Sequence, residues 1–161
     1  MANRRRTLRL KDYDYSRPGA YFLTFVLRDR RRLFGEILDG EMRLSAPGNM
    51  VQSVWLHLGD RYPGIQLDEF VIMPDHFHGI VHFTEGESKA VPRLDLFQLV
   101  HRFKSLTTAK YRHGVATLGW PRFRGRLWQR DYYEHVVRGR EELDRIRRYI
   151  RLNPLLWDGR R

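Results

Sequence analysis

The chain has 161 residues, a length that supports one core and gives no sign of a second domain. Its 30 Lys and Arg residues against 19 Asp and Glu leave a net charge of +11, and only Lys11, Lys89, Lys104 and Lys110 are lysine. Arginine grips phosphate in two-pronged fashion and stacks on bases, so a nucleic-acid partner is expected, against codon bias and a solvated surface; the absence of cysteine excludes disulfides, thiol nucleophiles and Cys-ligated zinc.

Residues 1–12 read as a basic arm, with Arg4 and Arg5 placed to touch DNA phosphates. No apolar run follows it, so no secretory signal is expected. No stretch approaches the roughly 20 apolar residues of a spanning helix, and a cytoplasmic location is expected. Residues 20–28 (AYFLTFVLR) follow Pro18-Gly19 and read as a strand. Residues 33–38 and 41–44 flank Asp39-Gly40, a favoured two-residue hairpin turn. Val51, Val54, Trp55 and Leu58 mark a helix over 49–62, after a loop at 45–48. Residues 65–73 and 76–84 read as two strands broken by Pro74-Asp75, and 85–92 as a mobile loop. Leu96, Leu99, Val100, Phe103 and Leu106 mark a helix over 94–111. Residues 114–126 lack periodicity, 127–137 look extended, and 141–152 form a last helix stopped at Asn153-Pro154. The order predicts an α+β fold, a ferredoxin-like sandwich of helices on a mostly antiparallel sheet.

His76-Phe77-His78 lies inside the second of those two strands, so both imidazoles point to one face. Two adjacent histidines in a sheet interior fit two readings: ligands of a divalent ion, or structural side chains bonded to backbone or buried carboxylate. His82 shares the face but lies about 13 Å along the strand from His78, and reads as structural. Without cysteine a closed four-ligand site is not available. An open site completed by one more side chain and substrate oxygen points to Mg²⁺ or Mn²⁺ acting on a phosphodiester.

In the last helix Leu143, Ile146 and Ile150 form an apolar stripe, with Tyr149 and Asn153 on its border, one turn apart. Arg140, Arg147, Arg148 and Arg151 fall together on a basic face. A phenol one turn from an amide suits in-line attack on phosphate beside an ion, with Asn153 as a third ligand. A packing tyrosine and an ordinary helix stop fit the same pattern. Tyr132 and Tyr133 are rival nucleophiles on an extended segment.

In order the chain carries Met73-Pro74-Asp75-His76-Phe77-His78, then Phe103-Lys104-Ser105-Leu106-Thr107. Trp128-Gln129-Arg130-Asp131-Tyr132-Tyr133-Glu134-His135 follows, and finally Tyr149-Ile150-Arg151-Leu152-Asn153-Pro154. Over about residues 13–157 this resembles the REP-associated tyrosine transposases, relatives of the single-strand HUH transposases of small bacterial insertion sequences. The resemblance implies that His76, His78 and Asn153 bind Mg²⁺ or Mn²⁺. It also implies that Tyr149 attacks single-stranded DNA, giving a 5′-phosphotyrosine link and a free 3′-hydroxyl, which a second 3′-hydroxyl reverses. The implied substrates are imperfect hairpins of repetitive extragenic palindromes in the bacterial cytoplasm, and the implied fold is ferredoxin-like. Larger relatives have glutamine where this chain has Asn153, as the REP-associated branch does. Lys104, Ser105 and Thr108 are expected at phosphates, with Arg148 and Arg151 on the catalytic helix. Arg122, Arg124 and Arg126, interleaved with Trp120, Phe123 and Trp128, are expected to form a stacking and charge surface for unpaired bases. His135 fits either an orienting or a structural role. Relatives act as helix-exchanging dimers or as monomers, and the sequence leaves both open. A hairpin-binding protein without catalysis and a phosphodiesterase using water are the rival functions; neither needs Tyr149 as nucleophile.

Overall fold

The run of β-branched and aromatic residues after Pro18-Gly19 sets the frame of the molecule, because it becomes a strand paired on both sides. The computed structural model describes residues 19–84 and 93–158; Arg4, Arg5, the rest of the basic arm and the loop at 85–92 lie outside the described residues. The elements are β1 (Gly19–Val26), β2 (Gly35–Leu38), β3 (Glu41–Leu44), α1 (Ala46–Arg61), β4 (Ile65–Ile72), β5 (His76–Phe83), α2 (Leu96–Leu118), β6 (Tyr133–Val137) and α3 (Arg140–Leu152).

Four strands form one sheet in the order β4-β5-β1-β6, with antiparallel neighbours throughout. α1 carries the chain from β1 to β4 past β5, and α2 carries it from β5 to β6 past β1. This is the split β-α-β arrangement of a ferredoxin-like fold, as the sequence predicts. β2 and β3 form a separate hairpin, with Asp39 and Gly40 at φ 53° and 76° as its turn type requires.

The strand period of two divides the chain's apolar residues between two faces. Tyr21, Leu23 and Phe25 of β1, with Phe77 and Val81 of β5, pack under α1 and α2 against Trp55, Leu99 and Phe103. The other face is thin: Phe22 and Ile80 meet Ile150 of α3, with Leu143 and Ile146 packed beside them, confirming the predicted stripe.

Three boundaries differ from expectation. α1 starts at Ala46 rather than 49, because Ser45 caps it by accepting from the Gly48 amide at 3.2 Å and Pro47 in the first turn sacrifices no hydrogen bond. α2 continues past Tyr111 to Leu118, through Gly114, and stops at Gly119 in left-handed geometry. Gly114 is no helix breaker here: the Trp120 ring lies where its Cβ would be, so the glycine buys close packing. In the expected strand at 127–137 only Tyr133–Val137 joins the ladder, while Trp128 makes a lone bridge to Leu27.

Candidate active site

β5 starts directly after the Pro74-Asp75 turn, so His76 and His78 leave the sheet on the α3 face, their ring centroids 4.6 Å apart. Opposite them in register stand Val26 and Thr24 of β1. His76 Nδ1 lies 2.6 Å from Oδ1 of the fully buried Asp75. His78 Nδ1 lies 2.7 Å from the Thr24 hydroxyl, and its ring stacks on Phe22. The other two histidines on this face are held the opposite way, His82 to Asp68 and His135 to Glu142, both through Nε2. His82 is thus tied to Asp68 of β4, and His135 ties β6 to α3.

α3 brings Tyr149 over this pair. Its ring sits edge-on to Phe22 and 5.4 Å, centroid to centroid, from His78, and the residue is 48% exposed. Asn153 follows one turn on, its amide nitrogen donating to the Tyr149 carbonyl at 3.1 Å. Thr24, Arg30, His76, His78, Tyr149 and Asn153 share one cleft of about 270 Å³, which Leu156 and Trp157 also line. Tyr149 and the histidines meet within a single chain.

Among the described residues no three His, Asp or Glu side chains gather as a metal site. The donor set here is two imidazoles and an amide oxygen, which fits an open site for Mg²⁺ or Mn²⁺: Nδ1 of each histidine faces a protein partner, so ligation falls to the Nε2 atoms. The Asn153 nitrogen is engaged by the Tyr149 carbonyl, so its oxygen is the atom that could serve as a third donor.

A family model described as transposase, IS200-like, matches residues 21–153. The chain belongs to the IS200-like transposases. An uncharacterized Haemophilus influenzae protein is 36% identical over 96% of this chain and 90% of its own length. A second protein of that organism, provisionally assigned as a REP-associated tyrosine transposase, is 26% identical over 88% of this chain and 73% of its own. A solved REP-associated tyrosine transposase bound to a REP hairpin superposes with a TM-score of 0.63 at 20% identity, over 92% of this chain and 73% of that one. That likeness is one of fold. The resemblance read from the motifs is borne out.

Among the described residues, the remaining predicted contacts of this IS200-like transposase do not line the cleft at Tyr149. Lys104, Ser105, Thr108 and Arg126 line a second cleft of about 420 Å³ along α2, on the other face of the sheet. The Lys104 ammonium already donates to the Gln129 and Arg130 carbonyls at 2.9 and 3.3 Å and sits over the Phe25 and Tyr132 rings. Burial there lowers its pKa to about 8. Arg122 and Arg124 are exposed, their carbonyls held by Arg31 and Arg28.

The expected stacking surface needs correcting. Trp128 is 3% exposed and its indole donates to Thr107, while Trp120 and Phe123 pack on Tyr111. Trp128 is a core residue held by a buried hydroxyl, while Trp120, against Gly114, and Phe123 are half-buried and pack on the core. Arg148 and Arg151 are exposed on α3, Arg151 lying 3.9 Å from Glu69. Arg147 leaves the predicted basic face: it grips Asp68 through two nitrogens, at 2.8 and 2.6 Å. Tyr133 lies on β6 edge-on to Phe22, opposite Thr24, near the cleft but not lining it.

Sequence reasoning missed Thr24, Asp75, Arg30 and Trp157. Only Asp75 had a local signal, standing directly before His76; its Pro-Asp pair was read as a strand break alone. Thr24 becomes visible once the β1–β5 register is known.

Proposed function

We propose that this IS200-like transposase is a metal-dependent single-strand DNA endonuclease and strand transferase. It would cleave and rejoin DNA at hairpins of repetitive extragenic palindromes, in the bacterial cytoplasm. The observation that carries this reading is the convergence of His76, His78, Tyr149 and Asn153 in one cleft, from a strand and a helix about 70 residues apart in sequence. The relative provisionally assigned as a REP-associated transposase, and the solved one with its hairpin, support the substrate class. No helix among the described residues is long and apolar enough to cross a membrane.

In the proposed reaction the Tyr149 oxygen attacks a DNA phosphorus in line. The Oη–P bond forms, the P–O3′ bond breaks, and the phenol proton passes to solvent as the departing oxygen becomes a 3′-hydroxyl. A second 3′-hydroxyl then attacks the phosphotyrosine, restores the phosphodiester and releases the phenol, so no nucleotide cofactor is consumed. His76, His78 and Asn153 would hold Mg²⁺ or Mn²⁺, which would supply charge neutralisation at the scissile phosphate. The chain's part is to hold the phenol: α3 docks on Phe22 and Ile80 through Ile150, which fixes the direction of attack. Lys104, Ser105, Thr108, Arg122, Arg124, Arg126, Arg148 and Arg151, with Arg4 and Arg5 of the arm, would contact phosphates.

A denaturing gel tests this. The protein is mixed with labelled single-stranded hairpins, with and without Mg²⁺ or Mn²⁺, beside Tyr149→Phe and His76→Ala. A metal-dependent protein–DNA adduct lost in both variants is expected. Cleavage that survives Tyr149→Phe would mean water is the nucleophile, and tight binding without cleavage would mean a hairpin-binding protein.

A further inference from the structure

The Pro74-Asp75 turn does not need the Asp75 side chain. Its backbone is already held on three sides: the Leu27 amide donates to the Asp75 carbonyl at 2.9 Å, the Phe34 amide to the Pro74 carbonyl at 3.1 Å, and the Met73 amide to the His76 carbonyl at 2.8 Å. Yet the carboxylate is fully buried, a costly state for a charge without work to do. Its Oδ1 meets His76 Nδ1 at 2.6 Å. Oδ2 is buried with no hydrogen-bond partner, and the nearest cation is Arg30 Nη1 at 3.8 Å.

We infer that Asp75 is a positioning residue for His76, holding the imidazole as the Nδ1–H tautomer so that Nε2 presents its lone pair to the cleft and sets the affinity for a divalent ion. This rests on the metal-dependent reading above. A carboxylate only accepts, so a hydrogen bond from Nδ1 fixes where the ring proton sits. The tether points the same way at His78, where Thr24 takes Nδ1, and the reverse way at His82 and His135, which turn Nε2 onto carboxylates. The two cleft histidines are thus distinguished from the structural ones by which nitrogen is tied down.

Asp75→Asn is the informative substitution because it keeps the shape. With the amide oxygen toward His76, the amide nitrogen is buried without an acceptor and faces Arg30. Flipped, the nitrogen donates to His76 and forces the proton onto Nε2, where no ion can bind. In the first orientation His76 keeps its Nδ1 proton but loses the anionic partner that makes Nε2 a stronger donor; in the second it cannot ligate. Substitutions of this kind cost about 10- to 100-fold in metal affinity.

Mn²⁺ binding to the full chain, read from loss of the free-ion paramagnetic signal, measures this directly. A stability control, Val51→Ala, alters the α1 core on the opposite face of the sheet. Expected results are an affinity about 10- to 100-fold weaker in Asp75→Asn, an unchanged affinity in Val51→Ala, and adduct formation by Asp75→Asn that recovers at high Mn²⁺. An Asp75→Asn affinity within about threefold of wild type would overturn the inference while leaving the metal reading intact. Wild type that binds no Mn²⁺ would overturn both. The tautomer is checked in the wild-type protein by long-range ¹⁵N–¹H correlation of the ring: a proton on Nδ1 of His76 supports the inference, and one on Nε2 alone refutes it.

Discussion

Asp68→Asn should loosen the helix that carries Tyr149. α3 buries only Ile150 among its described residues, so its seating depends on polar anchors as well as on the small apolar contact. The chief anchor is the Arg147 fork on Asp68, at 2.8 and 2.6 Å, to which His82 adds a contact at 2.7 Å. A one-residue bulge between Leu67 and Phe70 puts Asp68 and Glu69 within reach of Arg147 and Arg151. The Arg147 hydrogen bonds hold the Asp68 carboxyl well below the usual carboxylate range. The asparagine keeps one acceptor but loses the charge, and Arg147, about one-third exposed, can return to water. The loss therefore falls below the 3–5 kcal/mol of a broken buried pair, at about 2 kcal/mol, or roughly 30-fold in the opening of α3. Because the folded pKa is depressed, the anchor is fully present above the ordinary carboxylate pKa and is lost only as pH falls below it. Amide hydrogen exchange at neutral pH should show α3 opening about 30-fold more often, with β1 and β5 little changed and adduct formation slowed. Exchange in α3 equal to wild type would refute the reasoning.

Tyr149→Phe should leave the urea midpoint within about 0.5 kcal/mol of wild type, since the side chain is half exposed; a larger loss would make Tyr149 a structural residue. Gly114→Ala should destabilise by about 1–3 kcal/mol in thermal unfolding, because its Cβ would lie 2.1 Å from the Trp120 ring. An unchanged melting point would mean that Trp120 is not packed there. Burial lowers the Lys104 pKa to about 8, against the opposing charge of Asp131. An unfolded lysine keeps its proton to about 10.4, so wild type should gain stability over Lys104→Arg as pH rises from about 8 to 10; urea midpoints at both ends of that window check the sign. Removing Arg148 or Arg151 should reduce the salt slope of single-strand DNA binding by about 0.7 each, whereas an unchanged slope would place those arginines off the DNA.

Periodicity in the sequence determined the strands, the α3 stripe and the common face of His76 and His78, because the side-chain repeats of strand and helix follow from local backbone geometry alone. The ferredoxin-like order follows nearly as directly, from two helices each joining strands that a third must separate. Tertiary structure decided the rest. Arg147 belongs by spacing to a basic face, yet a bulge on β4 turns it into a clamp. Trp120, Phe123 and Trp128 read as a stacking surface until the fold packs Trp120 on Gly114, Phe123 on Tyr111 and buries Trp128 against Thr107. Lys104 reads as a phosphate contact, and only the fold shows that the Gln129 and Arg130 carbonyls already take two of its three donors. Thr24 has no local signal, and Asp75 becomes a partner of His76 only when its turn is buried. In each case the outcome depends on which groups from distant segments meet and how far water is excluded from them, and neither is encoded in the residue or its immediate neighbours.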